Sequence, residues 1–366
     1  MAASGRLSII WLLALIAGLI SPAIAQTWTD CNPLKRDDCK PNPALGMDYT
    51  YNFTGLLNAA VWNTTSGKVI NGEKGGEFTI RERLQSPTIQ SNFYIFFGRL
   101  EVHMKAATGQ GIVSSVVLQS EDLDEIDWEW VGSEQGHVQT NYFGKGNDTS
   151  FDRGKKHEVN DPMHSIHNYT VHWTAEKLEW WVDQQLVRTL KYEEAEGGKF
   201  YPQTPATVRL GIWPAGDPGN RKGTIEWAGG EVDYSNGPYT MIVKQLKVED
   251  FHKGKEYVYG DRSGDWKSIK VIEGVSKVAE EASKPPPKSL SEKWNDLSAG
   301  AKGGIFTAAG IVVAIFAAVI AFCCVKQRRA GRKEFNMESS KFATEQTSNM
   351  ALRSQWNHKY QEVRGN

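Results

Sequence analysis

The sequence predicts an all-β domain of the sandwich or jelly-roll type, followed by a stalk and one transmembrane helix. Residues 26–262 contain repeated apolar–polar alternation with a period of two, interrupted by Gly, Pro and Asn. No long segment of this region has the apolar stripe of a helix. One uncharged apolar run, residues 303–325, follows near the carboxyl end.

Residues 1–25 have the features of a secretory signal peptide. Arg6 supplies the positive charge, and the apolar segment LSIIWLLALIAGLI follows it. Ala23 and Ala25 form a small-residue cleavage site, which makes Gln26 the expected first residue of the mature chain. An uncleaved membrane anchor is the alternative. Cleavage implies export, so the domain that follows is expected on the exterior.

Export also predicts a disulfide and glycans. Cys31 and Cys39 lie just inside the mature amino end, where an oxidising compartment favours one disulfide between them. Asn-X-Thr sequons on the exterior part predict glycosylation. The acceptors are Asn52, Asn63, Asn147 and Asn168.

Five segments predict the strands of the exterior domain. They are NFYIFFGRLEVHMKA, IVSSVVLQS, YTVHWTAEKLEWWVDQQLVRTLKY, TVRLGIW and TMIVKQLKVED. The third of them predicts two strands around a short turn and then another strand. The region is long enough for one domain with a full core. Four tryptophans are assigned mostly to that core, namely Trp173, Trp180, Trp181 and Trp227.

Residues 263–302 differ in composition from the domain and predict a stalk. The triple proline Pro285–Pro287 and many small and charged residues disfavour a packed fold. The segment VIEGVSKVAEEA is compatible with a short helix.

The apolar run 303–325 is long enough to cross a bilayer, which takes about 20 residues. Lys302 and Lys326 bracket it, and KQRRAGRK follows at once, so the tail, residues 326–366, is expected in the cytoplasm. The polar composition of the tail predicts disorder. The chain is therefore expected to be a single-pass protein of the plasma membrane with an exterior domain.

The segment DEIDWEW, Asp124 to Trp130, contains the candidate catalytic residues. Alternate residues of a strand share a face, so Glu125, Asp127 and Glu129 point one way. The apolar residues between them point the other way, towards a core, and their β-branched and aromatic side chains favour a strand over a helix. The sequence therefore predicts a core strand with a row of acids on its other face.

A row of acids of this spacing suits a retaining glycosidase. The two Glu Cα atoms are about 13 Å apart along a strand, and side chains that lean together leave the carboxyls close to the ~5–5.5 Å that such enzymes need. Asp127 is placed to hold a hydrogen bond to the nucleophile, and repulsion among the acids raises at least one pKa, as a general acid requires. A solvated strand face and an acidic metal site are the alternatives, although a flat row does not wrap an ion well.

Other classes of function find little support. The formal net charge is −1, and no basic patch indicates nucleic-acid binding. The eight histidines are scattered, and His164 and His167 of HSIH fall on opposite faces of a strand. Neither a metal nor another cofactor is expected.

DEIDWEW resembles the E-x-D-x-E active-site strand of glycoside hydrolase family 16, a family with a concanavalin-like β-jelly-roll fold. VQTNYFGKG, HNYTVHWTAEKLEWWVDQQLVRTL, RLGIWPAGDPGN and GTIEWAGGEVDYSNGPYTM resemble its fungal Crh-type branch, and CNPLKRDDCKPNPALG resembles that branch's disulfide-bearing amino end. The match spans about Thr27 to Asp250. The resemblance implies that residues 26–262 are the catalytic domain.

The resemblance also implies roles for particular residues. Glu125 is similar to the nucleophile, Asp127 to its helper and Glu129 to the proton donor and acid/base, which also contacts the substrate. Further substrate contacts are expected from side chains that share a strand face or match the family's motifs, with core or structural roles as the alternative for some of them. These residues are Arg209, Trp213, Thr224, Gln139 and Asn141.

Crh-type proteins are transglycosylases of the fungal cell wall, and the resemblance implies the same activity here. We expect cleavage of a chitin donor and transfer of the new end to a β-glucan acceptor through a covalent glycosyl-enzyme. An endo-acting hydrolase of β-glucan or chitin is the alternative among enzymes. A non-catalytic, wall-binding membrane sensor is the alternative outside them.

Overall fold

The computed structural model describes residues 28–149, 152–287 and 290–362. The predicted signal peptide, residues 1–25, lies outside the described residues. The chain divides into two compact units, with the boundary after Ser289. Each unit is described by itself.

Two large antiparallel sheets build the first unit. The seven-stranded sheet runs in the order β11 (Lys155–Glu158), β10 (His137–Phe143), β9 (Glu125–Val131), β8 (Val113–Ser120), β15 (Ala206–Trp213), β6 (Thr88–Ser91) and β3 (Trp62–Ser66). The eight-stranded sheet runs in the order β14 (Gln185–Lys191), β13 (Lys177–Val182), β12 (His167–Trp173), β7 (Gly98–Lys105), β16 (Tyr239–Asp250), β5 (Gly75–Ile80) and β4 (Val69–Gly72), and β2 (Asp48–Asn52) also pairs with β16. This architecture confirms the predicted jelly-roll sandwich.

A small sheet and short helices complete the unit. The sheet contains β1 (Asn42–Pro43), β17 (Glu256–Tyr259) and β18 (Ile269–Ile272). The α-helices are α1 (Lys222–Trp227) and α2 (Lys277–Ala282), and 3₁₀ turns cover Tyr192–Glu194, Tyr234–Asn236 and Trp266–Ser268.

The core lies between the two large sheets and is rich in aromatic rings. Trp128 and Trp130 of β9 stack at 6.2 Å between centroids, and Tyr169 of β12 packs edge-on against Trp130 at 4.5 Å. The Trp180 indole on β13 donates a hydrogen bond to the Asp127 carbonyl, 3.2 Å away. Loss of one such ring costs about 3–5 kcal/mol, so these contacts determine which face of β9 points inward.

The stalk begins later than the sequence analysis placed it. Ile269 lies on β18, which pairs with β17, and Val278 and Ala279 of α2 are buried. The Ser276 hydroxyl donates a hydrogen bond to the Ala44 carbonyl at 2.6 Å and caps α2 by accepting one from Ala279 N at 3.0 Å. The predicted domain end at residue 262 is therefore too early. The short helix compatible with VIEGVSKVAEEA forms as α2 but packs on the domain, and the strand β18 was not predicted.

The amino end is tied to the domain. Cys31 and Cys39 form the expected disulfide, and the Arg262 guanidinium pairs with Asp37. Among the sequons, Asn52 and Asn63 are exposed, whereas Asn147 and Asn168 are half-buried. The Asn168 amide nitrogen donates a hydrogen bond to Glu101 at 3.1 Å. Glycosylation stays a prediction at all four positions.

The second unit consists of α3 (Leu290–Asp296) and α4 (Ala299–Glu362). Within the described residues, α4 is the one helix long and apolar enough to cross a membrane, with a mean hydropathy of 2.8 in its most apolar window. The predicted span, residues 303–325, lies inside it. The expectation of a disordered tail is wrong, because α4 continues to Glu362. Residues 326–362 contain no Pro and many Lys, Arg, Glu, Gln, Met and Ala, which favour helix.

The later domain boundary predicts a difference in stability between two truncations. A chain cut after Arg262 should unfold with a free energy at least about 3 kcal/mol lower than one cut after Ser289, because it lacks the buried side chains of Ile269 and Val278, which contribute about 1.5–3 kcal/mol each. Urea unfolding measures both. Equal midpoints would mean that β18 and α2 add nothing to the domain.

Candidate active site

The row of acids lies on the face of the seven-stranded sheet that points away from the core, called the outer face below. Ile126, Trp128 and Trp130 are at most 2% exposed and fill the inner side. Glu125 and Glu129 are therefore held on the outer face, where each is partly exposed, and Asp127 between them is buried. The predicted alternation of β9 is present along the whole acid row.

Strand register brings polar side chains beside each acid. Gln119 of β8 lies opposite Glu125, and Gln139 of β10 lies opposite Glu129. Directly opposed residues of antiparallel strands share a face. The Gln119 amide donates a hydrogen bond to the Glu125 carboxylate at 3.2 Å. Asn141, opposite Asp127, completes this set.

Gln119 was missed by the sequence analysis. It is buried, at 1% exposure, in a strand whose residues are all buried on both faces. Such a strand has no alternation that marks its outer face. Only the pairing of β8 with β9 shows that Gln119 faces Glu125.

Arg209 comes from β15, two strands away from β9. It pairs with Val117, which pairs in turn with Asp127, so all three side chains share the outer face. Arg209 is 6% exposed, and its positive charge favours the carboxylate form of Glu125. This placement agrees with the expected position of Arg209 at the site.

Two tryptophans stand on the Glu129 side of the site. Trp213, at the end of β15, stacks on Trp227 of α1 with 6.2 Å between ring centroids. The Trp227 indole donates a hydrogen bond to the Gln139 side-chain oxygen at 3.0 Å. Thr224 lies one helical turn before Trp227 and is partly exposed. Because Gln139 lies opposite Glu129, the two tryptophans belong with Glu129, and Thr224 lies on the helix that carries Trp227.

Trp227 packs against a small core cluster of Val113, Val131, Ala215 and Ala228, but it is partly exposed, as is Trp181, so neither ring is fully buried as the core assignment implied. Trp173 and Trp180 are buried as expected, with exposures of 1% and 0%. Trp227 is the last residue of α1, a helix of six residues. A helix this short has too few residues to show a periodic pattern, so the direction of the Trp227 ring cannot be predicted from the sequence.

Burial raises the pKa of all three acids, and Asp127 is affected most. Burial is the first cause of its elevated pKa, and the charges of Glu125 and Glu129 add to it. The Asp127 carboxyl therefore keeps its proton, which it donates in a hydrogen bond to Glu125. The buried position between two acids makes Asp127 a neutral donor.

The two glutamates differ in how well the charged form is stabilised. Burial, with a contribution from the charge of Glu125, raises the pKa of Glu129 to about 8. Burial also raises the pKa of Glu125, but the Asp127 hydrogen bond, the Arg209 charge and the Gln119 amide oppose that rise. The negative charge of the row thus belongs on Glu125, and Glu129 holds a proton at neutral pH.

A buried polar cluster fixes the start of β9. The Asp124 carboxyl accepts hydrogen bonds from Lys145 N at 2.9 Å, Gln203 N at 2.7 Å and the Thr204 hydroxyl at 2.9 Å. The same hydroxyl also lies 2.5 Å from an Asp122 oxygen, so its single proton is shared between the two carboxyls. These contacts anchor the residue directly before Glu125.

In the part of the chain that the structure describes, no group of three or more His, Cys, Asp or Glu side chains is arranged to hold a metal ion.

Comparison with known proteins identifies the family. The sequence profile described as glycosyl hydrolases family 16 matches residues 57–229. A Crh-like protein of Arthroderma benhamiae is 64% identical over 99% of this chain and 100% of its own length. The chain belongs to glycosyl hydrolase family 16. Crh-like protein 3 of Aspergillus fumigatus is 53% identical over 98% of this chain and 100% of its own length.

A solved structure supports the same placement within family 16. The structure titled apo Crh5 transglycosylase is 50% identical, covers 66% of this chain and all of its own, and gives a TM-score of 0.64. The resemblance to the Crh-type branch is therefore confirmed. As a member of family 16, the protein is a glycosyl-transferring enzyme.

The elevated pKa of Asp127 predicts how stability changes with pH. The folded state binds this proton more tightly than the unfolded state does, so the free energy of unfolding falls as pH rises above the unfolded value of about 3.9. Asp127→Asn removes this penalty and keeps a donor towards Glu125. We expect a higher melting temperature than wild type at about pH 7.5 and a much smaller difference near pH 4.

The exposed acid Asp37 provides the control, because Arg262 lowers its pKa. Asp37→Asn should give no gain at neutral pH. Equal melting temperatures of wild type and Asp127→Asn at both pH values would show that Asp127 is charged in the folded protein.

Proposed function

We propose that this family 16 protein is a retaining cell-wall transglycosylase that cleaves chitin and transfers the new end to β-glucan. The observation that carries the proposal is the row of Glu125, Asp127 and Glu129 on one face of one strand, in surroundings that favour a carboxylate at Glu125 and protons on the other two acids. A retaining enzyme needs one nucleophile and one acid. The similarity to a Crh5 transglycosylase, also solved in complex with NAG, supports the donor assignment.

In the first step, Glu125 attacks the anomeric carbon of a β-linked sugar. The bond from this carbon to a Glu125 oxygen forms as the glycosidic bond breaks. Glu129 donates its proton to the departing oxygen, and a pKa of about 8 keeps that proton available at neutral pH. The Asp127 hydrogen bond holds the attacking carboxylate in place.

In the second step, Glu129 acts as the base. Its carboxylate takes the proton of an incoming hydroxyl, whose oxygen attacks the anomeric carbon and releases Glu125. Each of the two steps inverts the configuration at the anomeric carbon, so the product retains the configuration of the substrate. A glucan hydroxyl yields a crosslink, whereas water yields hydrolysis. The stacked Trp213 and Trp227 beside Glu129 offer a sugar-binding surface that helps an acceptor displace water.

The chain organisation supports a site facing the cell wall. We propose that the signal peptide, residues 1–25, is removed and that residues 303–325 of α4 span the plasma membrane, with the tail in the cytoplasm. Residues 26 to about 284 then form the exterior catalytic domain, and the proline-rich segment after it becomes a short stalk.

The activity is tested with the full-length protein in detergent, chitin oligomers and a fluorescent β-1,3-glucan oligosaccharide. We expect the fluorescent label to appear in longer products that chitinase can degrade, without an equal rise in reducing ends. The Glu125→Gln variant should form no such labelled products. Reducing ends without label transfer would make the protein a hydrolase. Retained transfer by Glu125→Gln would remove Glu125 from its role, and the absence of both signals would favour a non-catalytic binding protein.

Azide rescue of the two alanine variants tests the roles of the glutamates. With an aryl β-chito-oligosaccharide, Glu129→Ala should still form the glycosyl-enzyme, and azide should then give a β-glycosyl azide. In Glu125→Ala, azide takes the place of the carboxylate and should give the α-glycosyl azide. NMR of the anomeric proton distinguishes them. The opposite stereochemistry would exchange the two roles.

A further inference from the structure

A tryptophan near the amino end stands over the arginine of the site. The Trp28 ring lies 5.8 Å from the Arg209 guanidinium carbon, and the Trp28 carbonyl accepts a hydrogen bond from Arg209 Nη2 at 3.4 Å. Arg209 belongs to the outer face of the sheet and favours the charged form of Glu125. Trp28 is thus part of the surroundings of the acid row, although it is far from it in sequence.

Several contacts hold this segment on the outer face. The Thr29 hydroxyl donates a hydrogen bond to one Glu121 oxygen, and the Tyr94 hydroxyl donates to the other. Cys31 N donates to the Thr29 hydroxyl at 3.2 Å, and the disulfide to Cys39 closes the segment. The amino end is therefore a fixed part of the site.

The Trp28 ring remains open to solvent despite these contacts. Its residue is 49% exposed, whereas the tryptophans of the core are at most 2% exposed. The exposed surface of a large aromatic ring loses the stabilisation that burial would provide. A partly exposed ring fixed beside polar groups is the usual form of a binding surface.

Its position relative to the acids is defined by the sheet. Arg209 lies two strand spacings from Asp127, about 10 Å across the sheet. Trp213 lies four residues further along β15 on the same face, about 13 Å from Arg209. Gly211 between them has no side chain, which leaves the floor open. Trp28 and the Trp213–Trp227 pair therefore stand towards opposite ends of the acid row, on the same face of the sheet.

We propose that Trp28 is a sugar-binding residue that stacks on a pyranose ring of the bound polysaccharide, beyond the sugar that Glu125 attacks. β-Linked pyranoses present apolar C–H faces, which suit the face of an indole. Arg209 beneath it supports the ring through the guanidinium contact and the hydrogen bond to the Trp28 carbonyl. The inference rests on the proposed function. It adds one sugar, bound by Trp28, to the sugars that the protein binds at the acid row.

The test measures binding to the full-length protein in detergent, with Glu125→Gln to prevent turnover. Chitin and β-1,3-glucan oligomers of two to six sugars are titrated by calorimetry. Adding Trp28→Ala should weaken binding of the longer oligomers about tenfold, which corresponds to one stacking contact. Dimers should bind as before, and Trp28→Phe should retain most of the affinity.

Phe251→Ala is the matched control, because Phe251 is 45% exposed and contacts His172 on the other sheet. It should bind every oligomer as the parent does. An affinity that is unchanged by Trp28→Ala at every length, or reduced equally at every length, would overturn the inference. A parent that binds no oligomer would overturn the proposed function, and the inference with it. Equal melting temperatures show that the variants fold.

Discussion

The packing of β9 determines the rest of the site. Trp128 and Trp130 are locked against Tyr169, and every second residue of a strand must face the same way. The acids are therefore forced onto the outer face as a set. A slip of one residue in register would bury Glu125 and Glu129 in the aromatic core and expose the tryptophans. Because that exchange would cost so much free energy, the packing of the core sets the register of β9 and therefore the position of the acid row.

The same arrangement concentrates acids where water is scarce. Charged carboxylates lose hydration there, and three of them repel, so the row takes up protons. Asp127 holds one proton, Glu129 another, and the charge that remains on Glu125 is stabilised by Arg209 and Gln119. At a cost in folding stability, the row holds one carboxylate, on Glu125, and one carboxyl that can donate its proton, on Glu129. The site is thus polarised before any sugar arrives, as transition-state stabilisation requires.

Elements far from DEIDWEW in the chain complete this site. The amino end reaches the outer face through Trp28 and is held there by contacts of Thr29 with Glu121 and of Asp37 with Arg262. The segment after residue 262 adds β18 and α2 to the domain before the proline-rich stretch begins. The catalytic unit therefore extends on both sides of the region that strand patterns outlined, and the region between this unit and α4 is shorter than composition suggested.

The sandwich class, the apolar helix and the acid row can be predicted from the sequence alone, because each depends on a periodicity or composition within one continuous segment. Tertiary structure alone decided that Gln119 faces Glu125, that Trp227 joins Trp213, and that Trp28 lies over Arg209. It also decided that residues 266–282 belong to the domain. These relations join positions about 6 to 180 residues apart, through strand pairing and short loops. Local sequence does not predict these contacts, since the two residues of each contact lie on different elements of the fold.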